Sequence, residues 1–188
     1  FIDFDSASIK AWESANFARA RGAQVQASLD AAAVGHGLSA NPTVSPRKLL
    51  IHAFAHALID QLSLDAGYPA SSLRERLYTD DDMTGVLIYT ASSDSAGSLG
   101  GLAAMSAEDR LGYSIITMLD RMSWCSSDPV CIESGASGSD GLNLAACHSC
   151  LLLPETSCEL NNTFLDRATL IGTPEFPDAG YFSGLLQR

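Results

Sequence analysis

The sequence predicts an α+β fold, helix-dominated around a small β-sheet, and three features of its 188 residues predict it. Residues 45–66 are apolar nearly all round a helical wheel, the mark of a central, buried helix. Gly85-Val86-Leu87-Ile88-Tyr89-Thr90 is a continuous apolar run of strand length, which suggests a strand covered on both faces. All five cysteines fall between Cys125 and Cys158, close enough to tie the C-terminal segments to one point.

Each element follows from local signals. Phe1-Ile2-Asp3-Phe4-Asp5 reads as a strand entered partway, as expected for the C-terminal part of a longer protein. Ser6 caps a predicted helix through Arg21, with Ile9, Trp12 and Ala20 near one face and Gly22 as its stop. An Ala-rich helix is expected from Gln24 to Val34. A loop follows over residues 35–42, marked by Gly, Ser, Asn and Pro, with His36 solvated in it. Ser45-Pro46 is a cap with Pro at the first helical position; the central helix it opens runs to Ala66, where Gly67 ends it. His52 and His56 lie four residues apart on that helix, on one face.

Ser71 or Ser72 is expected to cap a short helix through Tyr78 carrying Arg74 and Arg76, and Asp80-Asp81-Asp82 to form a solvated turn. After the 86–90 strand, Asp94 and the glycines Gly97, Gly100 and Gly101 make a tight loop. Ser106-Ala107-Glu108-Asp109 resembles a capping box, with Leu111, Ile115, Met118, Leu119 and Met122 as the apolar stripe of the helix it starts. Residues 134–141 read as a flexible Gly/Ser connector, residues 161–167 as a short helix, and the chain from Thr173 as poorly constrained coil. The expected organisation is a preceding region's end at 1–44, a main domain at 45–170 and a tail at 171–188.

An apolar content of 46% with 18% charged residues is that of an ordinary globular protein. The net charge of −11, from 11 basic against 22 acidic residues, disfavours whole-surface attraction to nucleic-acid phosphates. No apolar run reaches the length of a membrane span.

The cysteines carry the chemistry. Cys147 and Cys150 form a C-x2-C knuckle that presents two thiolates from one tight turn; Cys158 returns as a third, and Cys125 or Cys131 completes a tetrahedron for zinc. An odd cysteine count fits a disulfide framework poorly. A thioredoxin-like pair would have no further thiols around it. An all-thiolate shell is closed to water, so the zinc is expected to be structural. His52-Ala53-Phe54-Ala55-His56 has the spacing of half a zincin site but no glutamate base, and the two histidines are expected to hydrogen-bond a neighbouring loop or strand. The rival expectation is a metal-dependent phosphodiesterase or nuclease built from His52, His56 and Asp94. The loop from Asp94 to Gly101 follows a strand, yet it matches neither phosphate-binding glycine motif.

Taken in order, the blocks His52-Ala53-Phe54-Ala55-His56-Ala57-Leu58, Gly67-Tyr68, Ser72-Leu73-Arg74-Glu75-Arg76-Leu77-Tyr78, Gly85-Val86-Leu87-Ile88-Tyr89-Thr90, Gly100-Gly101-Leu102, Cys125-Ser126-Ser127-Asp128-Pro129-Val130-Cys131, Ala145-Ala146-Cys147-His148-Ser149-Cys150 and Leu165-Asp166-Arg167 resemble the MrfA-type zinc-binding domain. Within that family they are most similar to helicase-associated subunits of DISARM anti-phage defence. The resemblance implies a cytoplasmic, zinc-stabilised scaffold that assembles with a superfamily 2 helicase, meets DNA mainly through that complex and has no chemistry of its own. It also implies a four-cysteine structural site, matched here by Cys147, Cys150, Cys158 and one upstream thiol, for which Cys131 is favoured over Cys125.

Overall fold

The computed structural model describes residues 1–35, 43–91 and 101–186. Seven helices and a three-stranded sheet make up the regular structure among them. The expectations for His36 and Asp94, and most of the 94–101 loop, lie outside the described residues.

Strand β1 (Ile2–Asp3) leads into helix α1 (Ser6–Glu13), whose cap is Asp5 and not Ser6: the Asp5 carboxylate accepts the Ser8 N–H at 2.8 Å. Helix α2 (Asn16–Gly35) follows a break at residues 14–15. Gly22, expected to end a helix, is buried inside α2, where a Cβ would come within 3.2 Å of the Pro46 ring. Its role is close packing rather than termination.

Helix α3 (Pro46–Ala66) begins as the sequence predicts, with the Ser45 hydroxyl accepting the Lys48 N–H at 3.2 Å, and stops at Gly67, whose φ of 72° suits glycine. Every residue from Leu49 to Ile59 is buried. Helices α1 and α2 and, further along the chain, α4 (Gly101–Ala104), α5 (Glu108–Met122) and α6 (Ala168–Ile171) all touch it, as do β2 (Leu73–Thr79) and β3 (Thr84–Thr90). The sheet is antiparallel in the order β1-β3-β2, with Leu73 opposite Thr90 and Ile2 opposite Val86.

Residues 73–79 are a strand where a helix is expected. Leu73 and Glu75 are buried and Arg74 and Arg76 exposed, a period of two that pairing with β3 imposes on residues of high helix propensity. The Ser72 hydroxyl donates to Pro69 O at 2.8 Å and closes a single 3-10 turn, Ala70–Ser72, instead of capping a helix. Likewise Ser106 donates to Ala103 O at 2.7 Å, so α5 starts after Ala107 without a side-chain cap. Its predicted stripe does face the core, with Met118, Leu119 and Met122 buried.

The C-terminal third is more ordered than its composition suggests. Ser137 and Asn143 exchange backbone hydrogen bonds at 2.7 and 3.0 Å, and Gln24 of α2 donates to Gly135 O, so residues 134–141 are a pinned turn. Asn161, Asn162 and Phe164 have φ of 51°, 57° and 62°, which rules out a helix over residues 161–167 and makes a compact reversal. Residues beyond Thr173 return to the core: Tyr181 and Phe182 donate backbone hydrogen bonds to Thr169 O and Leu170 O, and the last helix, α7 (Ser183–Leu186), follows. Phe182 stacks on Phe54, Phe4 meets Phe54 edge-on at 5.0 Å, and the Trp12 indole donates to Ala179 O. No helix among the described residues is long and apolar enough to cross a membrane.

Candidate metal centres

Helix α5 ends at Met122 and delivers Cys125 into a loop organised by one carboxylate. Asp128 Oδ2 accepts the Cys125 N–H at 2.9 Å, while Oδ1 accepts the Ile132 N–H at 3.1 Å and the Arg167 guanidinium at 2.5 Å. This curls residues 125–132 so that both upstream thiols face the knuckle. Across the gap, the Cys150 N–H returns to Cys147 O, and the Cys147 N–H donates to Cys150 Sγ at 3.3 Å. The sulfurs of Cys125 and Cys147 are 3.5 Å apart, those of Cys131 and Cys150 3.7 Å, and those of Cys147 and Cys150 3.7 Å.

A tetrahedral zinc with Zn–S arms of ~2.3 Å has S···S edges of ~3.8 Å. The four sulfurs all lie within 4.8 Å of one another, so the donor set fits zinc in number, type and spacing. The Ser127 N–H also donates to Cys125 Sγ at 3.4 Å, an orienting contact of the kind metal-bound thiolates carry. Left to themselves, these thiols resist sharing charge. Burial acts to raise the pKa of Cys131, Cys147 and Cys150, and in Cys147 the hydrogen bonds from Ser127, the Ser149 backbone and its cysteine neighbours outweigh it and lower the pKa to about 7. Burial and the Cys147 charge push Cys131 up to about 12, and burial with the neighbouring thiolates pushes Cys150 up as well. A divalent cation inverts this ordering, because it deprotonates coordinating thiols outright.

Cys158, expected beside the knuckle, lies instead at a second cluster, and Cys125 occupies the place it was expected to fill. The cause is the path of residues 154–159. After Pro154, a 3-10 turn (Glu155–Ser157) is drawn toward the sheet by Arg74 donating to Thr156 O at 2.6 Å and Ser157 donating to Ala70 O at 2.8 Å. The Leu77 N–H then donates to Glu159 at 3.1 Å. Cys158 Sγ thereby comes within 3.2 Å of His52 Nε2, in a group completed by His56 and Glu75. His56 Nδ1 bonds Leu151 O at 2.8 Å, the loop contact expected of this pair. Both histidines have no solvent exposure.

Glu75 was not among the residues singled out in the sequence. Its signal was the phase of β2: once Leu73 points inward, Glu75 must too. The basic residues of α3 and β2 have protein partners. Arg47 is buried against Glu13 at 2.6 and 3.0 Å and bonds Asp80 O, Lys48 lies over the Phe164 ring, and Arg76 pairs with Glu159.

Residues 54–151 match the MrfA Zn-binding domain. Over 187 residues, 99% of its length, the chain is 37% identical to the DISARM protein DrmB of Bacillus paralicheniformis, and it spans 33% of that relative's length. The matched span takes in Cys125, Cys131, Cys147 and Cys150 and ends one residue past the knuckle, just before the path that carries Cys158 away. With more than half of its residues matched and its four sulfurs gathered inside that match, the chain belongs to the MrfA Zn-binding domain family.

Proposed function

We propose that Cys125, Cys131, Cys147 and Cys150 hold one structural zinc ion, and that the chain is a scaffold module of a DISARM-type anti-phage defence protein, assembling with a superfamily 2 helicase and contributing no chemistry of its own. The near-tetrahedral spacing of the four sulfurs carries the metal assignment. Cys131, Cys147 and Cys150 are ligands the sequence already favoured, with Cys125 as the fourth. Such a shell leaves no coordination position for water, which supports a structural role. Likeness to the DISARM protein DrmB along nearly the whole chain supports the defence role. Zinc thiolates persist where thiols stay reduced, in keeping with a cytoplasmic location.

The decisive experiment is co-expression of the full-length protein with a superfamily 2 helicase from the same genome. A stable co-eluting complex is expected, and separate elution at micromolar concentrations would overturn the partner assignment. Because the net charge is −11 and Arg47, Lys48, Arg74 and Arg76 have protein partners, the chain alone should bind duplex DNA more weakly than the ~10⁻⁴ to 10⁻⁶ M of ordinary non-specific binders. Tight, salt-sensitive binding by the chain alone would refute the scaffold reading.

A further inference from the structure

We propose that His52, His56, Glu75 and Cys158 form a second metal centre, one that takes a borderline divalent ion of the zinc class and is independent of the four-cysteine site. The donors come from three separate stretches of chain, α3, β2 and the loop after residue 157, and all four are buried. His52 Nε2 is 3.2 Å from Cys158 Sγ and 3.1 Å from Glu75 Oε1, and His56 Nε2 is 3.4 Å from the same oxygen. A tetrahedral ion with arms of ~2.0 to 2.3 Å places mixed N, O and S ligands ~3.3 to 3.6 Å apart. The 3.4 Å edge lies within that range, and the 3.1 and 3.2 Å edges fall just below it.

Hydrogen bonding points to a cation between them. Leu151 O can only accept, so His56 Nδ1 carries a proton, and in a neutral ring the remaining Nε2 lone pair is directed to the side of the Glu75 carboxylate, where a cation can take it. Glu75 is only 3% exposed, yet its Oε1, at 3.1 and 3.4 Å from the two Nε2 atoms, makes no aligned hydrogen bond, and Glu75 Oε2, His56 Nε2 and His52 Nδ1 make none either. Buried polar atoms are normally paired, and unpaired ones gathered in one cluster require an explanation. Cys158 Sγ, meanwhile, accepts the N–H groups of Leu160 at 3.3 Å and Asn162 at 3.2 Å, an environment that favours the thiolate.

Charge closes the argument. A thiolate, a carboxylate and two neutral imidazoles sum to −2, which a divalent ion cancels in a place where an uncompensated charge is very costly. With the thiolate and the carboxylate both ionised, protons alone would cancel the charge only by making both imidazole rings cationic, with centroids 4.4 Å apart. Thiolate and imidazole donors select a zinc-class ion over magnesium or calcium. With four protein ligands and no solvent exposure at either histidine, the centre is structural: it staples β2 and the 154–162 loop to the central helix. His56 and Glu75 lie inside the span that matches the family and His52 and Cys158 outside it, so that match does not by itself carry this centre.

The test is metal content together with cobalt(II) spectroscopy on the chain purified without added metal. Mass spectrometric analysis should find two zinc ions per chain, falling to one in Glu75→Gln and in Cys158→Ser. Cobalt(II) titration of the wild-type chain should give two distinguishable sets of visible bands, one of thiolate-only character and one with weaker sulfur charge transfer. The wild-type titration decides even if both variants are insoluble. One equivalent with a thiolate-only spectrum in folded wild-type protein would overturn this centre and leave the cysteine site standing. One equivalent with a nitrogen- and oxygen-rich spectrum would sustain it and remove the cysteine site instead. Two equivalents retained in both variants would also overturn it.

Discussion

Cys150→Ser should leave a chain that does not fold cooperatively, and removal of metal from the wild-type chain by a strong chelator should do the same. Structural zinc contributes about 10 to 16 kcal/mol of apparent folding free energy in isolated finger peptides, whereas whole domains are stable by only about 5 to 15 kcal/mol. The site replaces secondary structure here. Between the end of α5 at Met122 and the start of α6 at Ala168 there is no strand or α-helix, only 3-10 turns and one isolated bridge. Cys150 is buried and accepts the Cys147 N–H, so its loss removes a ligand and leaves that donor unpaired. Cys125→Ser and Cys131→Ser should be equally severe, because each upstream sulfur lies against one knuckle sulfur, at 3.5 and 3.7 Å. Near-ultraviolet circular dichroism and thermal melts read the outcome. A metal-free protein that still melts cooperatively within a few degrees of the zinc form would refute the argument.

The parts of this arrangement that were legible in the sequence are those in which local chemistry and final contacts agree. Ser45, Pro46 and Gly67 mark α3 because capping and left-handed glycine are properties of the nearest few residues. The C-x2-C turn is local in the same way. Illegible features depend on distant partners. Leu73 to Thr79 has a helix-forming composition, and only the β3 strand beside it imposes the period of two that sends Glu75 inward. With that segment read as a helix, Glu75 has no visible link to His52 and His56, and Asp94 stands as their acidic partner instead. Cys158 was grouped with the other thiols because sequence distance favoured it, at eight residues from Cys150, over His52, more than a hundred away. The Arg74–Thr156 and Ser157–Ala70 contacts reverse that preference in space.

Asp166→Ala should destabilise the chain by about 3 to 5 kcal/mol, the range for breaking a buried ion pair by removal of one partner. Asp166 is fully buried and accepts both arms of the Arg21 guanidinium at 2.7 Å, so the substitution strands a cation that is itself mostly enclosed. The same carboxylate accepts the N–H groups of Ala145 and Ala168 at 3.3 and 3.1 Å, which fastens the segment entering the knuckle to the start of α6. Beside it, the guanidinium of Arg167 is buried, bonds Met122 O at 2.7 Å and pairs with Asp128, the carboxylate that shapes the Cys125 turn. Burial lowers the Arg167 pKa, but Asp128 and the thiolates of Cys150 and Cys131 outweigh it and hold the side chain charged. Asp166 and Arg167 are thus adjacent residues that support the metal loops from opposite sides. Asp166→Ala should lower stability in urea and also speed zinc transfer to a competing chelator, since the knuckle loses its anchor to α2. Arg167→Met should affect zinc transfer more strongly than stability, because methionine fills much of the volume while the Asp128 carboxylate it deserts is 18% exposed and can be hydrated. Equal effects of the two substitutions on stability, with zinc transfer unchanged in both, would show that this pair supports the core alone and not the metal site.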